Sequence, residues 1–256
     1  MHLFRSIVFS AVVAGIAAGA VITVIQQLGT VPLILKAETY ERGQKAKSAE
    51  LPSAPVTVGH SHAEPAVAEH EHGHGAEAWE PENGLQRNAF TAGANVLTAI
   101  GFALVLAALF AFRTGNGAHG IRWHEGLVWG LAGFTVFTLA PGLGLPPELP
   151  GVPAAPLLSR QIWWVLAALA AAGGLSLIFL RRTAPASIAG LILIILPYLV
   201  GAPELENVET SVPTSLSHQF AVTVTVTSLV FWSVLGSLTS IAFAYFDRSA
   251  SEVPPA

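Results

Sequence analysis

Five of the chain's nine histidines stand between residues 60 and 74, in the run HSHAEPAVAEHEHGHG. They are His60, His62, His70, His72 and His74, and Glu64, Glu69 and Glu71 are interleaved with them. Neutral imidazole suits zinc, copper, nickel and cobalt ions, and carboxylates can complete the coordination shell. His-x-His spacing on a flexible chain lets several rings converge on one ion. The flanks LPSAPVTVG and AEPAVAE are rich in proline, alanine and serine, which predicts a segment without fixed structure in the absence of metal. Such a segment makes a fast multi-ligand trap rather than one rigid site. The donors select borderline divalent ions as a group but do not rank them, because affinity follows the Irving–Williams order. The plainer alternative is a solvated linker that binds metal incidentally. Ligation needs neutral imidazole, whose unperturbed pKa is about 6.5, so capture should fail below about pH 6.

Other candidate ligands are few. Glu38 and Glu41 lie one helical turn apart, shortly after the first apolar stretch, and His218 opens the last one. Glu148 sits in the short loop PGLGLPPELPG. Gln26, Gln27, Asn95, Thr98, Gln219, Thr223, Thr225 and Thr227 fall at or inside the ends of apolar stretches. Polar groups in lipid are costly and often functional. Amides and threonines at helix ends also serve simply to cap a helix or bond a neighbour. Familiar catalytic patterns carry little weight: there is no GxxxxGK[ST] loop and no GxSxG, and the letters HEHGH at residues 70–74 spell HExxH only within the histidine run, a segment predicted to lack the helix that motif requires. The sequence therefore predicts neither an ATPase nor a hydrolase. No acid pair falls at the middle of an apolar stretch, so proton-coupled exchange is not indicated.

The elements that carry these residues follow from composition. Of 256 residues, 52% are hydrophobic and 11% charged, too little charge to cover a soluble surface. With no cysteine, disulfides and thiolate metal sites are excluded. The net charge of −4 is concentrated in residues 29–89, with no basic stripe that would suggest nucleic acid. Six apolar stretches approach the roughly 20 residues a membrane span needs: about 6–28, 89–112, 123–145, 161–180, 185–202 and 218–245. They predict helices, because in lipid a backbone must satisfy its own hydrogen bonds, and strand alternation is absent. The fifth is short and interrupted by Pro197 and Gly201, so five spans is the alternative count. The first runs through Val21–Ile25, too long for a cleaved signal core, and reads as a retained helix.

The fold class is thus all-α, a polytopic membrane bundle of about six helices with a long His-rich first loop. Its parts are the first helix (1–28), the loop (29–88), a five-helix bundle (89–248) and a short tail (249–256). Arginine placement sets the orientation. With the N-terminus inside, Arg5, Arg113, Arg122, Arg181, Arg182 and Arg248 are cytoplasmic and only Arg160 falls in a short outer loop. Both termini then face the cytoplasm and the histidines face outward. Trp123, Trp129, Trp163, Trp164 and Trp232 read as interfacial anchors, and Gly15, Gly19, Gly126, Gly130, Gly133, Gly173 and Gly174 as close-packing positions.

Several pieces together resemble the CbtA family of cobalt transporter subunits. They are VIQQLGTVPLILKAETYE, HEHGHGAEAWEPENGLQRNAFT, GLVWGLAGFTVFTLAPGLGLPPELPG, RQIWW, LPYLVGAP and HQFAVTVTVTSLVFWSVLG. AEAWEP and GLPPELPG are the more distinctive. The resemblance covers nearly the whole chain. It implies a small bacterial membrane permease of five to six helices that works with a short single-helix CbtB subunit in cobalt uptake for cobalamin synthesis. In the family a histidine frequently follows the proline of the LPxLxGAP piece. Tyr198 stands there in this chain, so it lacks one ligand if that position lines the path.

Together these readings predict the inner-membrane subunit of a cobalt or nickel importer. The loop histidines would capture the ion, Glu38, Glu41 and His218 would pass it to the bundle, and no resident cofactor is implied. The alternatives are a membrane-anchored metal buffer or sensor without transport, and a scaffold whose histidines are incidental.

Overall fold

The structure, a computed structural model, describes residues 2–50, 81, 84–115, 121–205 and 210–251. Among these residues all regular structure is helical. The elements are α1 (His2–Leu28), α2 (Thr30–Glu50), α3 (Leu85–Gly115), α4 (Trp123–Phe134), α5 (Ala140–Gly144), α6 (Leu157–Ser176), α7 (Ala184–Val200) and α8 (Thr214–Ser251). A π-helical turn, Thr135–Leu139, joins α4 to α5, and a second, Leu177–Arg181, ends α6.

Five helical stretches are long and apolar enough to cross a membrane: Leu3–Leu28, Leu85–Gly115, Trp123–Gly144, Leu157–Arg181 and Thr214–Arg248. The expected sixth is the weaker one, as its sequence suggested. At 17 residues, α7 reaches about 25 Å against a hydrocarbon core of about 30 Å. Pro197 lies within it and Gly201, at a φ of 87°, ends it. By contrast, the 38 residues of α8 extend about 57 Å, so its ends project past any bilayer core.

The body of the bundle is built from α1, α3, α4 and α8. Close approach is the organising principle, because lipid offers no hydrophobic drive between helices and packing must supply the attraction. A Cβ placed on Gly15 would lie 2.5 Å from Ile100 Cγ1, and one on Gly19 would lie 2.6 Å from Val96 Cα. Gly126 and Gly130 of α4 face Gly236, Ser240 and the Trp232 carbonyl of α8 in the same way. Between these seams sit Phe110, Leu235 and Phe243, all fully buried. Trp232 is 3% exposed, with Phe137 stacked on it at 5.6 Å and Phe102 at 4.7 Å. Trp163 is buried too, against Gly144. These two indoles are core residues rather than the interfacial anchors the sequence suggested, whereas Trp123 is exposed.

Helices α6 and α7 form a hairpin through facing Gly174 and Gly190. The hairpin joins the body along α5 and the π turn after α4. A hydrogen bond fixes the join, from Tyr198 to the Ala140 carbonyl at 2.6 Å, and within the hairpin Trp163 Nε1 donates to the Pro197 carbonyl at 3.3 Å.

One element departs from the expected layout. The stretch from Thr30 to Glu50, which opens the segment taken as loop, is the helix α2. Pro32 falls in its first turn, where no intrahelical N–H is required. Leu33 and Ala37 of α2 bury themselves against Leu149, Val212, Leu216 and Phe220, a second small core at the end of the bundle where α1 finishes and α8 begins.

Candidate metal-handling end

The histidine run, His60, His62, His70, His72 and His74, lies outside the described residues. What the structure places are the helices on either side of it, α2 ending at Glu50 and α3 starting at Leu85. An ion-pair clasp joins them. Arg87 Nη2 donates to Glu38 Oε1 at 2.8 Å, and Arg42 Nη2 donates to Glu38 Oε2 at 3.2 Å. The Glu38 side chain is only 17% exposed, while Arg42 is in water. The hydrogen bond from Arg87 holds the Glu38 carboxyl below the usual carboxylate range, against a smaller opposing effect of burial, with both guanidinium charges helping. The carboxylate is thus committed to two cations, and it closes the base of the segment that carries the histidines.

Glu41 lies on the side of α2 nearest the loop after α5. A Cβ on Gly151, where φ is 82°, would lie 3.3 Å from the Glu41 Cβ. Ser211 Oγ donates to Gln44 Oε1 at 3.2 Å, and Thr210 Oγ1 donates to the Gly151 carbonyl at 3.3 Å, so α2, the loop after α5 and the approach to α8 are laced together. His218 stands exposed in the second turn of α8, while its neighbours Leu216 and Phe220 turn into the small core. Glu38, Glu41 and His218 all belong to this end of the bundle. They do not form a closed ligand set: among the described residues no three His, Asp or Glu side chains converge on a point that could hold an ion.

The polar residues expected at membrane depth mostly bond one another. Asn95 Nδ2 donates to Gln26 Oε1 at 2.7 Å and to Thr23 Oγ1 at 3.0 Å. Gln27 Nε2 donates to Asn88 Oδ1 at 3.0 Å. This amide ladder joins α1 to α3 and leads up to the Glu38 clasp. Thr223 and Thr225 turn back onto the Gln219 and Ala221 carbonyls of their own helix. Glu148 accepts from Arg160 Nη2 at 3.0 Å. Sequence reasoning singled out Glu38, Gln27 and Glu148 as candidates but not their partners Arg87, Asn88 and Arg160. A pairing across 49 residues has no local signature, and only the fold reveals it.

The ends of the bundle differ in charge. Arg113 pairs with Glu125 at 3.1 Å, and Ser6 Oγ donates to the Phe246 carbonyl, which brings the start of α1, the end of α3, the start of α4 and the end of α8 to one end. The alternation of the helices assigns Arg5, Arg122, Arg181, Arg182 and Arg248 to that same end.

Compared with known proteins, residues 4–244 match the profile of the family described as probable cobalt transporter subunit (CbtA). No curated protein matches. No solved structure matches.

Proposed function

The chain belongs to the CbtA family, and on that premise we propose that it is the membrane subunit of an uptake system for cobalt, with nickel as a second substrate. The observation that carries the reading is the family match across nearly the whole chain. In this reading the bundle sits in the bacterial cell membrane with both termini cytoplasmic, as the arginine-rich end suggests. The histidine run then faces outward, where it gathers scarce ions. Glu41 and His218 stand at the same end to receive them. Glu38 can join the relay only when Arg87 and Arg42 release it, so its resting task is to hold the base of the trap. A small single-helix subunit of the CbtB type completes the transporter. In this reading its work is transfer rather than bond chemistry.

Uptake of radioactive cobalt tests this, in cells lacking other cobalt and nickel importers, with and without the chain and with the small partner co-expressed. Saturable accumulation is expected. Replacing His60, His62, His70, His72 and His74 by alanine should raise the apparent KM more than it lowers the maximal rate. Uptake at limiting cobalt that ignores this replacement would remove the trap role. No accumulation at all, with metal still bound by the purified chain, would leave a membrane-anchored metal buffer.

A further inference from the structure

A groove of about 620 Å³ opens between the body of the bundle and the α6–α7 hairpin. Its walls are the π turn after α4 (Phe137, Thr138), the start of α6 (Leu157, Trp164, Val165) and, at its floor, Thr225 of α8. Phe137, Leu157, Trp164 and Val165 are exposed, so in a bilayer this groove faces acyl chains. At its mouth stand Glu148 and Arg160, 3.0 Å apart. The guanidinium is only partly used. Its Nε–H is buried and finds no acceptor among the described residues. That buried donor costs on the order of 1–3 kcal/mol, and the rest of the side chain, 32% exposed, is open to an acceptor in the groove.

We propose that the groove binds one phospholipid whose headgroup carries a phosphodiester and a primary ammonium. A phosphodiester oxygen accepts from the exposed part of the Arg160 guanidinium, the ammonium donates to the Glu148 carboxylate, and an acyl chain lies along Val165 and Phe137 toward Thr225. Each half of the mouth excludes a simpler occupant. A bare divalent cation would meet the Arg160 charge. A purely anionic headgroup would meet the Glu148 charge beside its phosphate. A zwitterion with a hydrogen-bonding cation satisfies both. The position gives the lipid a structural task, because α7 packs on α6 and the π turn that ends it, and among the described residues the hairpin meets the body chiefly along α5 and the first π turn. A lipid here fills the seam and fastens the hairpin to the four-helix body.

The test uses the full chain purified in mild detergent and native mass spectrometry with phosphatidylethanolamine, phosphatidylcholine and phosphatidylglycerol added at equal concentration. Phosphatidylethanolamine should be retained roughly tenfold better than either of the others, the worth of one charge-assisted hydrogen bond. Phosphatidylcholine has no N–H to give, and phosphatidylglycerol has no cation. Glu148→Gln should erase the preference of phosphatidylethanolamine over phosphatidylglycerol, and Arg160→Gln should weaken retention of all three. Gly142→Leu provides a variant that leaves the ion pair alone. A Cβ on Gly142 meets nothing within 4 Å, so leucine there projects into open space beside the pair and should displace the lipid without unfolding the chain. Equal retention of the three lipids by the unmodified chain overturns the proposal. So does undiminished phosphatidylethanolamine on a monodisperse Gly142→Leu protein, since only ordinary boundary lipid would then be present.

Discussion

The membrane body and the α2 end of this molecule are held together by opposite means. In the body, α4 and α8 meet backbone to backbone at Gly126, Gly130 and Gly236, and aromatic rings fill what remains. At the other end, α2 is held by an ion pair, by a few hydrogen bonds and by a core of six buried residues. The body has no slack, whereas the α2 end rests on contacts that salt, acid or a competing ion can undo. A transporter subunit benefits from this division. The barrier to leakage must be permanent, while an end that is to take up and release an ion, as proposed for this one, must be able to open.

Substitutions can break this comparison, and the largest effect belongs to the body. Gly130→Leu drives a side chain into the Trp232 backbone, where the obstacle is peptide rather than a movable side-chain tip. Overpacking of this kind costs about 3 kcal/mol and occasionally more, so the variant should aggregate on extraction or unfold well below the unmodified chain. Thermal unfolding in detergent measures it. A Gly130→Leu protein as stable as the parent would mean that α4 and α8 do not meet as described.

At the α2 end, Arg87→Gln should cost about 1.5 kcal/mol, felt locally. It leaves Glu38 with Arg42 alone, whose guanidinium is exposed and holds less. The expected result is faster proteolysis within α2 with the thermal midpoint of the body unchanged. Acid separates the two functions of this end. Because the folded carboxyl of Glu38 titrates below its usual range, the clasp is fully present above the ordinary carboxylate pKa, about 4.3, and is lost as pH falls through the lowered folded value. Histidine capture fails earlier, below about pH 6. Between those limits the chain should keep α2 protected but bind no cobalt. Proteolysis of α2 and cobalt binding measured across pH 7 to 4 would test this order, and coincident loss of both would refute it.

Asn95→Ala has a smaller expected effect. It removes two hydrogen bonds between α1 and α3, each worth about 0.6 kcal/mol in membrane bundles, so about 1 kcal/mol in all. If cobalt uptake is lost while the unfolding midpoint falls by no more than this, the ladder handles the ion and is not simply helix glue.

What the sequence revealed, and what it hid, follows the same division. Spans and glycine seams were legible because lipid imposes length and composition, and because small residues at Gly15, Gly19, Gly126 and Gly130 repeat at helical spacing. Trp163, near the start of α6, and Trp232, in the middle of α8, misled because a tryptophan has two good homes, the interface and a glycine-lined cleft, and the residue type does not choose between them. Helix α2 was hidden because its two buried apolar residues, Leu33 and Ala37, are too few to mark a face without knowledge of Leu149 and Phe220 across from them. Glu38 looked like a ligand because its type and place suited one. That Arg87 occupies it depends on a contact spanning the histidine run itself.

The finest test of the comparison uses glycine in both regions at once. In the body a glycine is required by its neighbours. In α2, Gly43 faces open space, with nothing within 4 Å of an added Cβ. Glycine in a helix interior costs 0.5–1 kcal/mol relative to alanine, so Gly43→Ala should stabilise α2 by about 0.5 kcal/mol and slow exchange of its amide hydrogens roughly twofold. Gly126→Ala is the same chemical change with the same gain in helix propensity, yet its Cβ would enter the Ser240 and Gly236 positions, so it should destabilise. The two signs must be opposite if one region is governed by packing and the other by local helix preference. If Gly43→Ala leaves amide exchange in α2 unchanged, residues 30–50 are not a helix in solution, and the clasp between Glu38 and Arg87 loses the scaffold that presents it.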